Sequence, residues 1–317
     1  MRLLGETKSL LLTGLADVWG GRKSTGDRPA DRVGLELMVV SAAMFALMAA
    51  VAKKLLPHTP MQAVVFSRGV LMTAVFVTLA KRRGVPILGK RPAVLLVRGL
   101  LGYAALSCYF WSVQHLPLGD AVLLQYSHPV FVAAVAPFAL GEPTGRWHWP
   151  LVLSALAGVA LIVGPHADAA HGAALVGLCG AMMSGIAYLA VRKLSKTEHP
   201  LTILVWFPLA SIPLSFVAIL RAGDKALPTS ASEVAGHLLV FATALVGQTT
   251  LTQGLARAGA ARATAVTMTG PVFGLLFGWL MFGTVPSWAS VLGTAIVILA
   301  VVRLASERPH GGRKLVG

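Results

Sequence analysis

His115 to Glu142 reads HLPLGDAVLLQYSHPVFVAAVAPFALGE, and Ala258 to Thr284 reads AGAARATAVTMTGPVFGLLFGWLMFGT. The second stretch repeats the layout of the first at an offset of 142. Ala263 answers Ala121, Pro271-Val272-Phe273 answers Pro129-Val130-Phe131, and Gly283 answers Gly141. Each copy is a long apolar helix with proline near its centre. A helix in lipid tolerates such a break only where neighbours or water satisfy the freed carbonyl. Paired interrupted segments in corresponding places of two halves point to a transport site, so both helices are expected to line a cavity.

Upstream, Ser41 to Met44 with Lys53-Lys54-Leu55 answers Gly180 to Met183 with Arg192-Lys193-Leu194, at an offset of 139. The duplication thus takes in the first helix of each copy. Between and around these landmarks, ten apolar runs approach the ~20 residues that a spanning helix needs. They are 34–52, 61–80, 93–114, 120–140, 149–164, 173–191, 201–220, 237–255, 263–282 and 288–302. The expected organisation is a cytosolic tail over 1–32, a first five-helix repeat over 33–165, a second over 166–305, and a cytosolic tail over 306–317. Within the first tail, Ser9 to Trp19 is apolar but too short to span.

Composition agrees with an integral membrane protein. The 317 residues are 56% hydrophobic and only 12% charged, with a mean hydropathy of +0.75, against about 25% charged residues in a soluble domain. The net charge of +15 does not mark a nucleic-acid binder, because the basic residues lie between apolar runs rather than on one aromatic-studded face. With a cytosolic N-terminus, 21 Lys and Arg fall in inner segments and 4 in outer loops. The positive-inside bias therefore places both termini in the cytosol. Five helices per half is an odd number, so the second half enters the membrane inverted, the ground plan of alternating access. Cys108 and Cys179 lie in apolar runs and are expected to be small buried hydrophobes.

The Leu116-Pro117-Leu118-Gly119-Asp120 turn, the apolar helix with Pro129-Val130-Phe131, and Gly141-Glu142 at its end resemble the EamA repeats of the drug/metabolite transporter superfamily. The resemblance runs from about Gly34 to Ala305. It departs in the second half, where Thr284 replaces Glu142 and LARAGA stands in place of HLPLGD. It implies an all-α integral membrane protein of ten transmembrane helices, moving a small organic metabolite without an ATP-binding domain. It also implies a loop-fixing role for Glu142.

Two arginines lie inside apolar runs, each about 10 Å from a helix end at 1.5 Å per residue. Buried guanidinium is expensive in lipid and by default faces a polar interior and a partner. Arg68 is read as a substrate or gating contact, against a structural ion pair; Arg98 as an anion-binding or pathway residue, against snorkelling to the interface. Their repeat counterparts, Pro208 and Val240, are uncharged. No carboxylate sits deep in any run, so an anionic substrate would supply the missing partner.

Gln125 and His128 share a helix face and are read as a cavity wall, against interhelical glue of about 0.6 kcal/mol per contact. Thr267 and Gly270 are their counterparts, and His128 is the proton-coupling candidate. Tyr109, Tyr188 and Gln248 complete the expected substrate-binding set of Arg68, Arg98, Tyr109, Gln125, His128, Tyr188, Gln248 and Thr267. Tyr103 and Gln253 are polar neighbours, Trp111 belongs to the interfacial belt, and Asp120 is expected to cap its helix. Gly270, Gly274 and Gly278 form a small-residue stripe, expected to pack another helix of the same chain.

No HExxH, GxSxG or Walker loop occurs, nor any intramembrane carboxylate pair, so the reading is non-enzymatic. No cofactor or metal is expected. The expected partners are a small-molecule metabolite and membrane lipids, not nucleic acid, with a monomer or homodimer both open. The reading is a secondary transporter of the bacterial inner membrane, with a site bounded by runs three, four, eight and nine and a cargo that is an amino acid or an organic anion such as a carboxylate. The alternative is a lipid-handling or flippase-accessory membrane protein.

Overall fold

The computed structural model describes residues 28–140, 147–163, 168–194, 197–223, 228–257 and 266–306. Most of both expected tails, Glu142 and residues 263–265 of the ninth apolar run lie outside them. The described elements are all helical: α1 (Arg28–Leu55), α2 (Met61–Arg82), α3 (Pro92–His115), α4 (Leu118–Gln125), α5 (His128–Leu140), α6 (His148–Val163), α7 (Asp168–Leu194), α8 (Pro200–Ala222), α9 (Ala231–Arg257), α10 (Gly270–Phe282) and α11 (Trp288–Ser306). Seven segments are long and apolar enough to cross a membrane, α4 and α5 counting together over Leu118–Val135. Three shorter apolar helices, His148–Leu161, Gly270–Phe282 and Trp288–Arg303, accompany them.

The expected centre of the repeat is visible as a local feature. Helical residues stop at Gln125 and resume at His128; they stop again at Thr267 and resume at Gly270. Proline causes both breaks, because Pro129 and Pro271 have no N–H for the carbonyl four residues back. Hydroxyls inside the breaks bond the carbonyls three residues back, Ser127 donating to Leu124 at 2.6 Å and Thr269 to Val266 at 2.8 Å.

Helices pair between the two repeats. α1 packs on α9 while α3 packs on α7; α10 packs on α1 while α5 packs on α7. Helices at corresponding places in the two halves also pair with each other, α2 with α8, α4 with α10 and α6 with α11. The glycine stripe supplies the α4–α10 contact. A Cβ at Gly270 would stand 2.0 Å from Cζ of Tyr126, and one at Gly274 would stand 2.6 Å from Val122.

Several expectations need correction. Asp120 is not the cap of α4: Pro117 holds that position, and Asp120 sits in the first turn, where a carboxylate suits the helix dipole. Cys179 is exposed and Cys108 only half-buried, so neither is a core residue. Lys53 and Lys54 close the last turn of α1 rather than an outer loop. Lys53 Nζ donates to the carbonyls of Val113 and Leu116 at 2.8 and 2.6 Å, at the end of α3, with its tip 5.9 Å from the Phe282 ring centroid. A cation there meets the negative end of α3's dipole.

The 83–91 loop is tied to the start of α8. Glu198 accepts from the amides of Lys90 and Arg91, Thr202 donates to the Pro86 carbonyl, and Trp206 donates to that of Ile87. His199 caps α8 by accepting from the Leu201 amide at 3.2 Å.

Candidate functional site

Arg68 enters the interior from α2 and Arg98 from α3. Both meet Phe207 of α8: the guanidinium carbons lie 5.2 and 4.8 Å from the centroid of its ring. The two side chains are 2% and 9% exposed, so Arg98 is turned onto the ring and does not snorkel. Gly102 makes the room, since a Cβ there would stand 2.5 Å from Arg98 Nη1 and 2.6 Å from Phe207 Cδ2. Nε and Nη1 of both arginines are buried without a hydrogen-bond partner. Among the described residues no carboxylate pairs with either.

The magnitudes leave this arrangement unbalanced. Arginine at the centre of a spanning helix costs about 2.5–3.5 kcal/mol on insertion scales, and an unmet buried donor adds roughly 1–3 kcal/mol. A ring face returns about 0.5–2 kcal/mol. The pair therefore retains unfilled capacity for an anion.

The α4–α5 break supplies the next wall. The Gln125 carbonyl loses its usual helical partner to Pro129, and His128 Nδ1 lies 2.9 Å from it. A carbonyl can only accept, so the His128 proton is on Nδ1 and Nε2 is left as an acceptor. The Gln125 side chain donates to Ser184 of α7 at 2.9 Å, while its Oε1 is buried without a partner. His128 stacks on Tyr188, also from α7, with centroids 4.9 Å apart and planes 14° from parallel.

Two groups thus stand in the interior, Arg68 and Arg98 on Phe207 and Gln125, His128 and Tyr188 at the break. Tyr126 lies beside the second, its ring centroid 6.0 Å from that of His128, and Tyr109 is buried in the same apolar core as Tyr126. Tyr188 and Val266 both pack on the Met38 and Leu251 pair; Thr267 is next in chain to Val266 and Gln248 precedes Leu251 by one turn of α9, with neither side chain in contact with the arginines or the α4–α5 break among the described contacts. The Gln248 carbonyl accepts from Thr252. Tyr103 donates to Gln62 at 3.1 Å. Trp111 is 43% exposed on α3.

Sequence reasoning missed Phe207 and Ser184. A signal for Phe207 was present. The repeat matches Arg68 to Pro208, and because α2 and α8 pair with each other, a residue of α2 lies close to its own counterpart: a Cβ at Gly69 would stand 3.3 Å from the Pro208 carbonyl. Phe207 is the adjacent residue. Ser184 carries no comparable mark.

Two broken helices packed on each other, an interior lined by unpaired polar groups and a sheath of apolar helices define a multi-pass membrane protein of the solute-carrier kind. The profile of the EamA-like transporter family matches the sequence twice, over residues 32–164 and 171–305. The chain belongs to that family, and so to the drug/metabolite transporter superfamily: it is a small-molecule transporter and not an enzyme.

The chain is 30% identical over 280 residues to the pseudopaline exporter CntI of Pseudomonas aeruginosa, covering 87% of this chain and 96% of that one. It is 29% identical to a riboflavin transporter of Rhizobium johnstonii, over 69% of this chain and 72% of the relative. Mouse solute carrier family 35 member G1 is 24% identical over 90% of this chain and 82% of its own. A solved crystal structure covering 89% of this chain and 98% of its own, at 19% identity and a TM-score of 0.64, has the same fold.

Proposed function

We propose that this transporter exports a small organic anion, an amino acid or a carboxylate, across the bacterial inner membrane by alternating access. The observation that carries the reading is the pair of buried guanidiniums on Phe207, with Nε and Nη1 unfilled on each. Gln125, His128 and Tyr188 form the polar wall that orients the cargo, Tyr109 borders it, and Gln248 and Thr267 meet the cargo from the second repeat. His128, with Nε2 free to accept, is the candidate proton-coupling group.

The accompanying architecture is ten spans in two inverted five-helix repeats, 33–165 and 166–305, rocking about the paired breaks with both termini cytosolic. The distribution of Lys and Arg, the helix pairing between the repeats and the double family match support it. The relative named as an exporter, matched over nearly its whole length, supports the direction.

A ligand of the folded state raises its apparent stability by mass action. Thermal unfolding of the detergent-purified chain against amino acids, di- and tricarboxylates, phosphorylated metabolites and cationic drugs is expected to show stabilisation by an anionic class, lost in Arg68→Ala and Arg98→Ala. Stabilisation only by neutral or cationic compounds, or silence in folded protein, would overturn the anion reading.

A further inference from the structure

We propose that the cargo carries two negative charges, one balancing each guanidinium. The inference rests on the anion reading above and narrows it to a class: dicarboxylates, or compounds bearing a phosphate monoester.

Three observations lead there. Arg68 and Arg98 share one ring, at 5.2 and 4.8 Å from its centroid, so two like charges occupy one small volume with almost no solvent exposure. Each keeps two buried nitrogens of its own without a partner; neither arginine fills the other's needs, and the ring face accepts no conventional hydrogen bond. Among the described residues no carboxylate lies within ion-pair distance of either: Glu36 pairs with Arg32, Glu198 holds the amides of Lys90 and Arg91, Glu233 accepts from Thr229, and Asp120 sits in the first turn of α4.

The other polar groups of the candidate site, Gln125, Ser184, Tyr109, Tyr126, Tyr188 and His128 in its neutral form with the proton on Nδ1, bring no formal charge of their own. A monoanion would therefore leave one uncompensated positive charge in a low-dielectric interior, where an unpaired charge is strongly unfavourable. A dianion cancels both charges and fills donors on both arginines with charge-assisted hydrogen bonds. The charge of the cargo is thereby set by the protein's count of buried arginines rather than by pocket shape.

The test uses the full chain in detergent at fixed ionic strength, at a pH where carboxylates are fully ionised. Affinities are measured at about pH 8, where phosphate monoesters are dianions, for succinate and glutarate against butyrate and glutaramate, and for glycerol 3-phosphate against its monoanionic methyl diester. One extra charged hydrogen-bonded contact predicts a dianion preference on the order of tenfold to a hundredfold. A preference for succinate and glutarate identifies paired carboxylates, and one for glycerol 3-phosphate identifies a single doubly charged group. In Arg98→Gln the preference is expected to collapse towards unity through loss of dianion affinity, while monoanion affinity holds or rises.

Equal affinity within every pair, carboxylate and phosphate alike, in the unmodified protein would overturn the dianion inference and leave the anion reading standing. Absence of binding by every anion of either charge would overturn the anion reading itself, and this inference with it. Should Arg98→Gln fail to fold, the ratio in the unmodified protein decides.

Discussion

Phe207 is the residue on which the candidate site turns, because both guanidiniums lean on it and Gly102 is small enough to let them. Phe207→Leu keeps an apolar side chain of similar reach but removes the π face. Two ring contacts worth about 0.5–2 kcal/mol each are lost, so the variant is expected to lose about 1–3 kcal/mol of stability and to bind anions at least several-fold more weakly. Unchanged anion affinity in folded Phe207→Leu would show that the ring does not hold the arginines for binding. The arginines themselves were plain in the sequence, since a charge inside an apolar run stands out against its neighbours. Their shared ring was not: it lies about 110 to 140 residues downstream, and an aromatic in an apolar run has nothing local to distinguish it.

At the level of the helices, the paired breaks make separate predictions. The Tyr126 ring fills the space where any side chain at position 270 would stand, so Gly270→Ala forces α4 and α10 apart. Overpacking of this kind typically costs about 1–3 kcal/mol. A thermal unfolding midpoint for Gly270→Ala equal to that of the unmodified chain would contradict the close α4–α10 contact. Lys53→Met removes two charge-assisted hydrogen bonds to the end of α3 and is expected to cost about 2 kcal/mol, read as faster amide exchange in the last turn of α3.

The α8 cap adds a dependence on pH. Burial, then the nearby charge of Arg83, lowers the pKa of His199 from 6.5. Neutral His199 is what accepts from Leu201. The folded state thus binds fewer protons there than the unfolded chain, so the stabilisation is complete above about pH 6.5 and is lost as pH falls through the lowered folded value. The protection of the Leu201 amide, its exchange rate relative to the intrinsic rate at each pH, should fall below about pH 6.5, and His199→Asn should flatten that dependence.

On the scale of the whole molecule, the sequence carried more of the architecture than of the site. The breaks were legible because Pro129 and Pro271 recur 142 apart near the centres of matching apolar runs and each removes a helical hydrogen bond; proline alone would not have marked them, since α8 runs unbroken through Pro208 and Pro213. Helix ends were less legible: α1 begins at Arg28 and α9 at Ala231, several residues before the apolar runs, since polar first turns leave no hydropathy signal. Asp120 was misplaced for a related reason, as Pro117 claims the position before the helix. Five of the eight expected site residues fall into two buried groups, Arg68 with Arg98 and His128 with Gln125 and Tyr188, and each was legible as a polar or charged side chain inside an apolar run. Ser184 escaped notice because a serine in a spanning helix can satisfy itself on its own backbone.

The central claim is that Arg68 and Arg98 carry the transported anion. The most direct measurement is flux in proteoliposomes of whichever labelled anion stabilises the purified protein, comparing the unmodified chain with Arg68→Ala and Arg98→Ala after each is shown to be folded. Flux should fall by at least tenfold in both variants, because an ion pair formed in the interior is lost with either guanidinium. Undiminished flux in both would take the arginines out of the pathway and contradict the account.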